Sequence, residues 1–173
     1  NVYGETKAHT ENNLRQQATQ SEVNSIIFRY SNVYGSVFDH KTRVIPAFMR
    51  AALNDQPLRI DCSDHIFDFT YIEDVAEATL LGVEGLSNGV IEGCHEFNVS
   101  PGVGTSLLEL VELISKVTEK EVTTVPGQRR DYDVGRYIGD VSKLEKILGY
   151  RCQTTLMEGL GRLNTDYLET MEA

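Results

Sequence analysis

The sequence predicts an α/β fold in which strands alternate with helices and pair mostly in parallel. Short β-branched and aromatic runs are followed by longer segments with helical periodicity, an alternation typical of βαβ units. Residues 25–30 are a typical buried strand, whereas Ser106 and Glu109 have the spacing of a capping box at the start of a helix. No repeat of fixed period and no low-complexity linker interrupts the 173 residues. We therefore expect no clean domain boundary.

The first half of the chain alternates predicted helices with predicted strands. The predicted helices cover residues 3–20, 44–53 and 74–83, and the predicted strands cover residues 25–30, 58–61 and 67–72. Residues 3–20 are mostly good helix formers, and Pro46 occupies the first turn of the second helix, where its missing N–H is tolerated. We expect Pro57 to follow the end of the second helix and Gly85 to close the third.

The second half begins with a predicted strand at residues 96–99 and a predicted helix from Ser106 through Val117. Apolar residues recur on one face of this helix, at the spacing of a surface helix that packs on a core. They are Leu107, Leu110, Val111, Ile114 and Val117.

Two further helices are predicted to close the chain. Asp140 is the expected N-cap of a helix that continues to Leu148 and that Gly149 ends. Thr155 and Glu158 repeat the capping-box spacing before a last apolar-faced helix. Its apolar residues are Leu156, Leu160, Leu163 and Tyr167.

The charge of the chain excludes some classes of partner. The net charge is −10, from 26 acidic and 16 basic residues, which disfavours nucleic acid because phosphate backbones are bound by clustered Lys and Arg. No run of about twenty apolar residues could span a bilayer. An anionic small ligand would have to be held by the few Arg side chains, so their positions carry information.

Cysteines and histidines show neither disulfide nor metal-ligand spacing. They are Cys62, Cys94 and Cys152, and His9, His40, His65 and His95. The cysteines are odd in number, widely separated and without CxxC, so we expect no metal site and a reducing, cytoplasmic setting. The start of the chain lacks the charged segment and following apolar run of a signal peptide. It is typical of a sequence that begins within a longer protein.

Tyr3 and Lys7 are the first candidate catalytic residues. They are four apart at the start of a predicted helix, so their side chains share one face. An ammonium beside a phenol stabilises the phenolate, which makes the phenol a workable general acid/base near neutral pH. The same spacing also arises by chance in helices without any chemistry.

This pair belongs to the first of a series of motifs that extends along nearly the whole chain. They are Tyr3-Gly4-Glu5-Thr6-Lys7, Phe28-Arg29-Tyr30-Ser31-Asn32-Val33-Tyr34-Gly35, Val44-Ile45-Pro46, Asp68-Phe69-Thr70-Tyr71-Ile72-Glu73-Asp74-Val75, Phe97-Asn98-Val99 and Ser106-Leu107-Leu108-Glu109-Leu110. The set resembles the extended short-chain dehydrogenase/reductase superfamily. Within it, the chain is similar to the C-terminal half of the NAD-dependent epimerase/dehydratase family.

The resemblance implies the C-terminal part of a Rossmann-type α/β fold with a substrate-binding subdomain. Residues 1–35 would supply the catalytic helix and strand of a truncated dinucleotide-binding domain. Residues 36–173 would form mainly the substrate-binding subdomain, with strands near 67–72 and 96–99 returning to the Rossmann sheet. The intact protein would form a homodimer through the helix that begins at Tyr3.

The resemblance also implies roles for individual residues. Tyr3 would be the catalytic acid/base and Lys7 would hold the nicotinamide ribose, so both would contact the cofactor together with the backbone around Tyr30 and Ser31. The nucleotide sugar would be bound by Asn32, Arg43, Val44, Arg59, Ile60, Asp61, Arg130 and Asp133.

Some of these residues also have simpler interpretations. Asn32 could be a turn residue, and Arg43 or Arg59 could be solvated surface charges. Arg130 could pair with a neighbouring aspartate on a surface loop, where an ion pair contributes little.

The sequence departs from the family pattern at three places. Phe67 occupies the position where many relatives carry an Arg that grips the diphosphate, and Tyr132 replaces the glycine of an Arg-x-Gly-Asp pattern. The family's glycine-rich phosphate loop and catalytic Ser or Thr lie upstream of the Tyr and have no counterpart in this chain. NAD or NADP would therefore be bound mainly by an absent N-terminal half, and this fragment alone would be inactive.

The resemblance implies an enzyme acting on a nucleotide sugar, with UDP as the expected nucleotide. A hydride would pass from a sugar carbon to the cofactor and back while Tyr3 handles the hydroxyl proton. Inversion at C4 of a UDP-hexose is the commonest outcome in such a family, and dehydration, decarboxylation or ketone reduction would use the same half. The alternative is a non-catalytic sugar-nucleotide-binding or scaffold domain.

Overall fold

The computed structural model describes residues 2–127 and 135–172, apart from the side chains of residues 171 and 172. The helices are α1 (Val2–Ser21), α2 (Val44–Leu53), α3 (Ile72–Ser87), α4 (Leu107–Thr118), α5 (Ser142–Leu148) and α6 (Leu156–Glu172). The strands are β1 (Ser25–Tyr30), β2 (Asn32–Tyr34), β3 (Leu58–Ile60), β4 (Ile66–Phe67), β5 (Phe69–Tyr71), β6 (Cys94–Val99), β7 (Thr105–Ser106) and β8 (Thr124–Pro126).

The strands form four pairs, three of them parallel, among the described residues. The pairs β1 with β6, β2 with β5, and β3 with β8 are parallel, and β4 with β7 is antiparallel. The register of the longest pair runs from Ser25 opposite Cys94 to Tyr30 opposite Val99. The predicted α/β fold with mostly parallel pairing is confirmed. The division into residues 1–35 and 36–173 remains a prediction.

Two apolar cores hold these elements together. The larger one packs α2, α4 and α6 against β2, β3 and β5, with Met49, Leu110 and Leu160 fully buried. The smaller one packs α3 and α5 against the β1–β6 pair around Phe97 and Ile91. Each of these helices therefore buries its apolar stripe against a strand pair or another helix, as expected of layered α/β packing.

Local signals predicted several elements well. Segments 25–30 and 44–53 coincide with β1 and α2, and segments 3–20 and 96–99 are contained in α1 and β6. Both predicted capping boxes are present. Ser106 Oγ accepts the Glu109 N–H while the Glu109 carboxylate accepts the Ser106 N–H. The same exchange joins Thr155 and Glu158 at the start of α6.

Several predicted boundaries were wrong, and three of them have a structural explanation. Helix α3 continues through Gly85 to Ser87. A side chain at Gly85 would meet Ile91 and Leu148, so this glycine permits close packing and does not end the helix. The N-cap of α5 is Val141, although the Asp140 carboxylate still accepts the Ser142 N–H. The predicted strand 67–72 divides into β4 and β5, and its last residue belongs to α3. None of the described helices is long and apolar enough to cross a membrane.

Candidate functional site

A groove between α1 and β1 contains the Tyr3 and Lys7 pair. Lys7 Nζ lies 5.5 Å from the centroid of the Tyr3 ring, since positions four apart share a helix face. Tyr3 is 72% exposed. Both side chains line a cavity of about 560 Å³, together with Tyr30 at the carboxyl end of β1. A phenol beside an ammonium in an accessible cavity can exchange a proton with a bound hydroxyl group.

Glu11 connects α1 to the strands beneath it. Its carboxylate accepts hydrogen bonds from Arg29 Nε at 2.8 Å and from Arg15 at 3.1 Å. Arg15 also lies 3.8 Å from Glu96 of β6, which Lys143 approaches to 3.1 Å. The hydrogen bond from Arg29 is the main cause that lowers the pKa of Glu11. These alternating charges hold a largely exposed helix, and with it Tyr3 and Lys7, against the sheet.

Replacing Glu11 by Gln is expected to lower the free energy of unfolding near neutral pH by about 0.5–1 kcal/mol, since its partners are partly exposed. The folded protein lowers the pKa of Glu11 below its ordinary value of 4.5. Its stabilisation is therefore complete above that value and is lost as the pH falls through the folded pKa. Urea unfolding should show the difference between wild type and Glu11→Gln shrinking in acid. Glu112→Gln, on the exposed side of α4, is the control, and a difference that stays constant with pH would contradict this assignment.

Hydroxyl groups fasten the carboxyl end of β1 to its neighbours. The Tyr30 hydroxyl lies 3.0 Å from Thr79 Oγ1 of α3, and Ser31 Oγ lies 2.5 Å from Thr70 Oγ1 of β5. Thr70 is fully buried. The backbone predicted to border the nicotinamide is therefore held in place next to the groove that Tyr3 lines.

A second cavity, of about 260 Å³, contains Asn32, Arg43 and Val44. The Asn32 N–H donates to the Asp68 carbonyl at 3.2 Å, which places this residue at the start of β2 rather than in a turn. Arg43 precedes the first turn of α2 and its guanidinium donates to the Asp39 carboxylate at 3.2 Å. Among the described residues that line this cavity, Arg43 is the one cationic side chain, and Asp39 already partly neutralises its charge.

A third cavity, of about 380 Å³, contains Arg59 and Asp61 and shares Val44 and Phe67 with the second. Arg59 Nε donates to the Asp61 carboxylate at 2.8 Å. The Ile60 side chain lies in the apolar core instead of the cavity, because successive residues of a strand point to opposite faces. Phe67 lines both cavities and forms an apolar partition between them.

Asp68 is a fully buried acid beside these cavities. Its Oδ2 accepts the N–H groups of Gly102 and Gly139, each at 3.1 Å. The carboxylate thereby fastens the loop after β6 and the segment before α5 to the β4–β5 junction. The predicted binding residues Arg130 and Asp133 lie outside the described residues.

Sequence reasoning assigned no role to Asp39, Glu11 or Asp68. Asp39 precedes Arg43 by four residues and Glu11 precedes Arg15 by four, so the i,i+4 spacing of these two ion pairs could have identified both acids. No local signal identifies the role of Asp68, because its two donors lie 34 and 71 residues further along the chain.

The residues of the α1–β1 groove fit a nicotinamide nucleotide. The Lys7 ammonium can donate to ribose hydroxyls, and the rings of Tyr3 and Tyr30 offer apolar surface beside it. No cluster of three metal-ligating side chains occurs within residues 2–127 and 135–172.

Comparisons with known proteins relate the chain to one family. A model of the NAD dependent epimerase/dehydratase family matches residues 1–99. The chain is 29% identical over 168 residues to a dTDP-L-rhamnose 4-epimerase of Burkholderia thailandensis, covering 95% of this chain and 45% of that protein.

Solved structures give the same result. The fold matches a UDP-glucose 4-epimerase of Thermotoga maritima in complex with UDP-glucose, with a TM-score of 0.88, 28% identity, and coverage of 98% of this chain and 54% of that one. It also matches a UDP-glucuronic acid 4-epimerase of Bacillus cereus in complex with UDP-glucuronic acid and NAD, with a TM-score of 0.86, 25% identity, and coverage of 98% and 52%. The chain spans about half the length of these relatives. The match over residues 1–99, which include the Tyr3 and Lys7 pair, shows that the chain belongs to the NAD dependent epimerase/dehydratase family.

Proposed function

We propose that this chain is the C-terminal, substrate-binding part of an NAD(P)-dependent nucleotide-sugar epimerase. The observation that carries the proposal is the contact between Lys7 and Tyr3 at the mouth of the α1–β1 groove, in a chain of this family. The solved structures that resemble the chain include enzymes that bind UDP-glucose and UDP-glucuronic acid. A UDP-linked hexose is therefore the proposed substrate, and inversion at C4 is the proposed reaction.

In this mechanism Tyr3 takes the proton from the sugar hydroxyl and later returns it. Lys7 stabilises the phenolate form of Tyr3 and donates to the nicotinamide ribose. When bound, NAD supplies a reversible hydride acceptor for the sugar carbon. Tyr30 and Ser31 border the groove at the end of β1, where their hydroxyls are held by Thr79 and Thr70.

The nucleotide is proposed to lie along the second and third cavities. Asn32 and Arg43 would face the diphosphate, with Val44, Arg59 and Asp61 beside the ribose and base. Both arginines are partly neutralised by aspartates, and Phe67 donates no hydrogen bond. Arg130 and Asp133 are therefore proposed to supply the remaining polar contacts.

A direct assay tests the proposed reaction. The intact protein, with its dinucleotide-binding segment, is incubated with NAD and in turn with UDP-glucose, UDP-glucuronic acid and dTDP-L-rhamnose. Proton NMR of the sugar signals follows conversion, and a new C4 epimer supports the proposal. Saturable binding of UDP without conversion of any of these sugars would instead identify a non-catalytic binding domain.

Replacing Arg130 by Ala in the intact protein is expected to weaken UDP binding about tenfold to a hundredfold, because a charge-assisted contact to a diphosphate is lost. Calorimetric titration with UDP measures the affinity. Arg151→Ala is the matched control, since Arg151 forms an exposed ion pair with Glu145. Equal affinities of wild type and both variants would refute the assignment of Arg130.

A further inference from the structure

The turn between α3 and β6 contains the dipeptide Asn88-Gly89. Of the nine asparagines in the sequence, Asn88 is the one that precedes a glycine. The turn lies at the amino end of β6, whereas Tyr30 lies at the carboxyl end of β1, which pairs with β6 in parallel. It therefore lies at the opposite end of this strand pair from Tyr30 and has no part in the proposed mechanism.

The Asn88-Gly89 turn is open to solvent. Asn88 and Gly89 are both exposed. Gly89 has a φ of +77°, and a Cβ added there would meet no atom within 4 Å. This backbone conformation is favourable for glycine and strained for other residues. Solvent and the Asn88 side chain can therefore both reach the peptide group between the two residues.

A hydrogen bond orients the Asn88 side chain. Its Oδ1 accepts the Val90 N–H at 3.1 Å, which is the pattern of an Asx turn. This bond folds the side chain back along the peptide group that contains the Gly89 nitrogen. It also polarises the side-chain carbonyl and would stabilise negative charge on Oδ1 when a nucleophile attacks Cγ.

Asn54 provides a comparison within the same chain. It is the C-cap of α2 with φ −97° and ψ 14°, and Asn88 is the C-cap of α3 with φ −98° and ψ 4°. Both residues are exposed. The Asn54 amide, however, donates from Nδ2 to the Arg50 carbonyl at 2.7 Å, and Asp55 follows it. Two residues with nearly the same backbone conformation thus differ in how the amide is held and in the residue that follows.

We propose that Asn88 is a site of spontaneous deamidation, through attack of the Gly89 backbone nitrogen on Asn88 Cγ. A bond forms between these two atoms, the bond from Cγ to Nδ2 breaks, and ammonia leaves with the Gly89 amide proton. Water then opens the resulting succinimide ring at either of its carbonyls. One opening gives aspartate, and the other gives isoaspartate, in which the main chain continues through the side-chain carbon.

Deamidation is expected to weaken the smaller apolar core, independently of the proposed epimerase function. A carboxylate at position 88 places a negative charge at the carboxyl end of α3, where the helix dipole disfavours it. Isoaspartate also lengthens the main chain just before Ile91. Ile91 is fully buried, and its N–H donates to the Gly85 carbonyl at 3.0 Å. We therefore expect the deamidated protein to unfold at a lower urea concentration than the fresh protein.

The test is peptide mapping by mass spectrometry after incubation of the intact protein at increasing pH. We expect the peptide that contains Asn88 to gain the mass difference between an amide and an acid, and to separate into aspartyl and isoaspartyl forms. The Asn54 peptide should stay an amide. Conversion should become faster as the pH rises, because the Gly89 nitrogen attacks in its deprotonated form. An unchanged Asn88, aspartate without isoaspartate, or equal conversion of Asn54 would overturn the proposal.

Two glycine variants test the role of the residue after Asn88. Gly89→Ala should deamidate more slowly, because its methyl group obstructs the approach of the nitrogen to Cγ. Gly93→Ala is the matched control, since Gly93 also has a positive φ, of +79°, and no atom within 4 Å of an added Cβ. It should deamidate at the wild-type rate. Equal rates in Gly89→Ala and wild type would refute attack by this nitrogen.

Urea unfolding before and after incubation measures the effect on the core. The urea midpoint of wild type should fall on incubation. Asn88→Gln is the control, because glutamine would have to close a larger ring and should resist the reaction, so its midpoint should stay constant. An equal fall in both proteins would show that the loss of stability does not arise at Asn88.

Discussion

Replacing Tyr3 by Phe is expected to lower kcat of the proposed reaction of the intact protein by about a hundredfold to ten-thousandfold, the usual contribution of a positioned general acid/base. Phe keeps the ring that Lys7 contacts and removes only the hydroxyl. We therefore expect KM for the nucleotide sugar to change little, because the lost hydroxyl acts in proton transfer rather than in substrate binding. Steady-state kinetics of the intact protein with its sugar nucleotide measures both constants.

The control for this prediction is Tyr137→Phe, which removes a phenol hydroxyl outside the α1–β1 groove. It should leave kcat unchanged. Lys7→Met should lower kcat and also weaken NAD binding, since the ammonium serves both the phenolate and the ribose in the proposed mechanism. An unchanged kcat in Tyr3→Phe would show that another group handles the proton.

Replacing Asp74 by Ala is expected to lower the free energy of unfolding by about 3–5 kcal/mol, since removing one member of a buried hydrogen-bonded network leaves the other polar groups without partners. Asp74 is 3% exposed in the first turn of α3. Its carboxylate accepts from the Tyr150 hydroxyl at 3.0 Å and from the N–H groups of Gln153 and Thr154 at 2.8 and 3.2 Å. Burial and this hydrogen bond raise the pKa of Tyr150, which keeps the phenol a donor.

Urea unfolding monitored by circular dichroism checks the effect. Glu73→Ala is the matched control, because Glu73 precedes Asp74 on the same turn but forms an exposed ion pair with Arg162. Loss of this ion pair should lower the free energy of unfolding by about 0–1 kcal/mol. Asp74→Asn should fall between the two, since the amide retains one acceptor oxygen. Equal losses in Asp74→Ala and Glu73→Ala would show that the buried carboxylate contributes nothing beyond an exposed one.

The fold could be predicted wherever the signal was local. Segment 44–53 coincides with α2 because its apolar periodicity, its early proline and its polar end all lie within the segment. The short strands β2, β7 and β8 were not predicted. Two or three residues carry no periodicity, and their pairing partners are distant in sequence, as the pairs Asn32 with Phe69, Thr105 with Phe67 and Thr124 with Leu58 illustrate.

In the candidate site, too, some features follow from local sequence and others depend on the tertiary structure. The contact between Tyr3 and Lys7 follows from helix geometry, and the family resemblance of the sequence was enough to assign a role to both residues. The pairing of Arg43 with Asp39, the burial of Ile60 and the partition formed by Phe67 depend instead on how the folded chain brings its segments together.

The sequence by itself determined the α/β class, the bounds of β1 and α2, both capping boxes and the family, because each depends on residues close together or on motifs in a set order. The tertiary structure decided what Asp68 and Asp74 contact, where α3 ends and how the cavities are divided. It also placed Arg50 next to Tyr167, which is far away in sequence. These features depend on burial and on donors from distant segments, and neither is encoded in a local pattern of residue types.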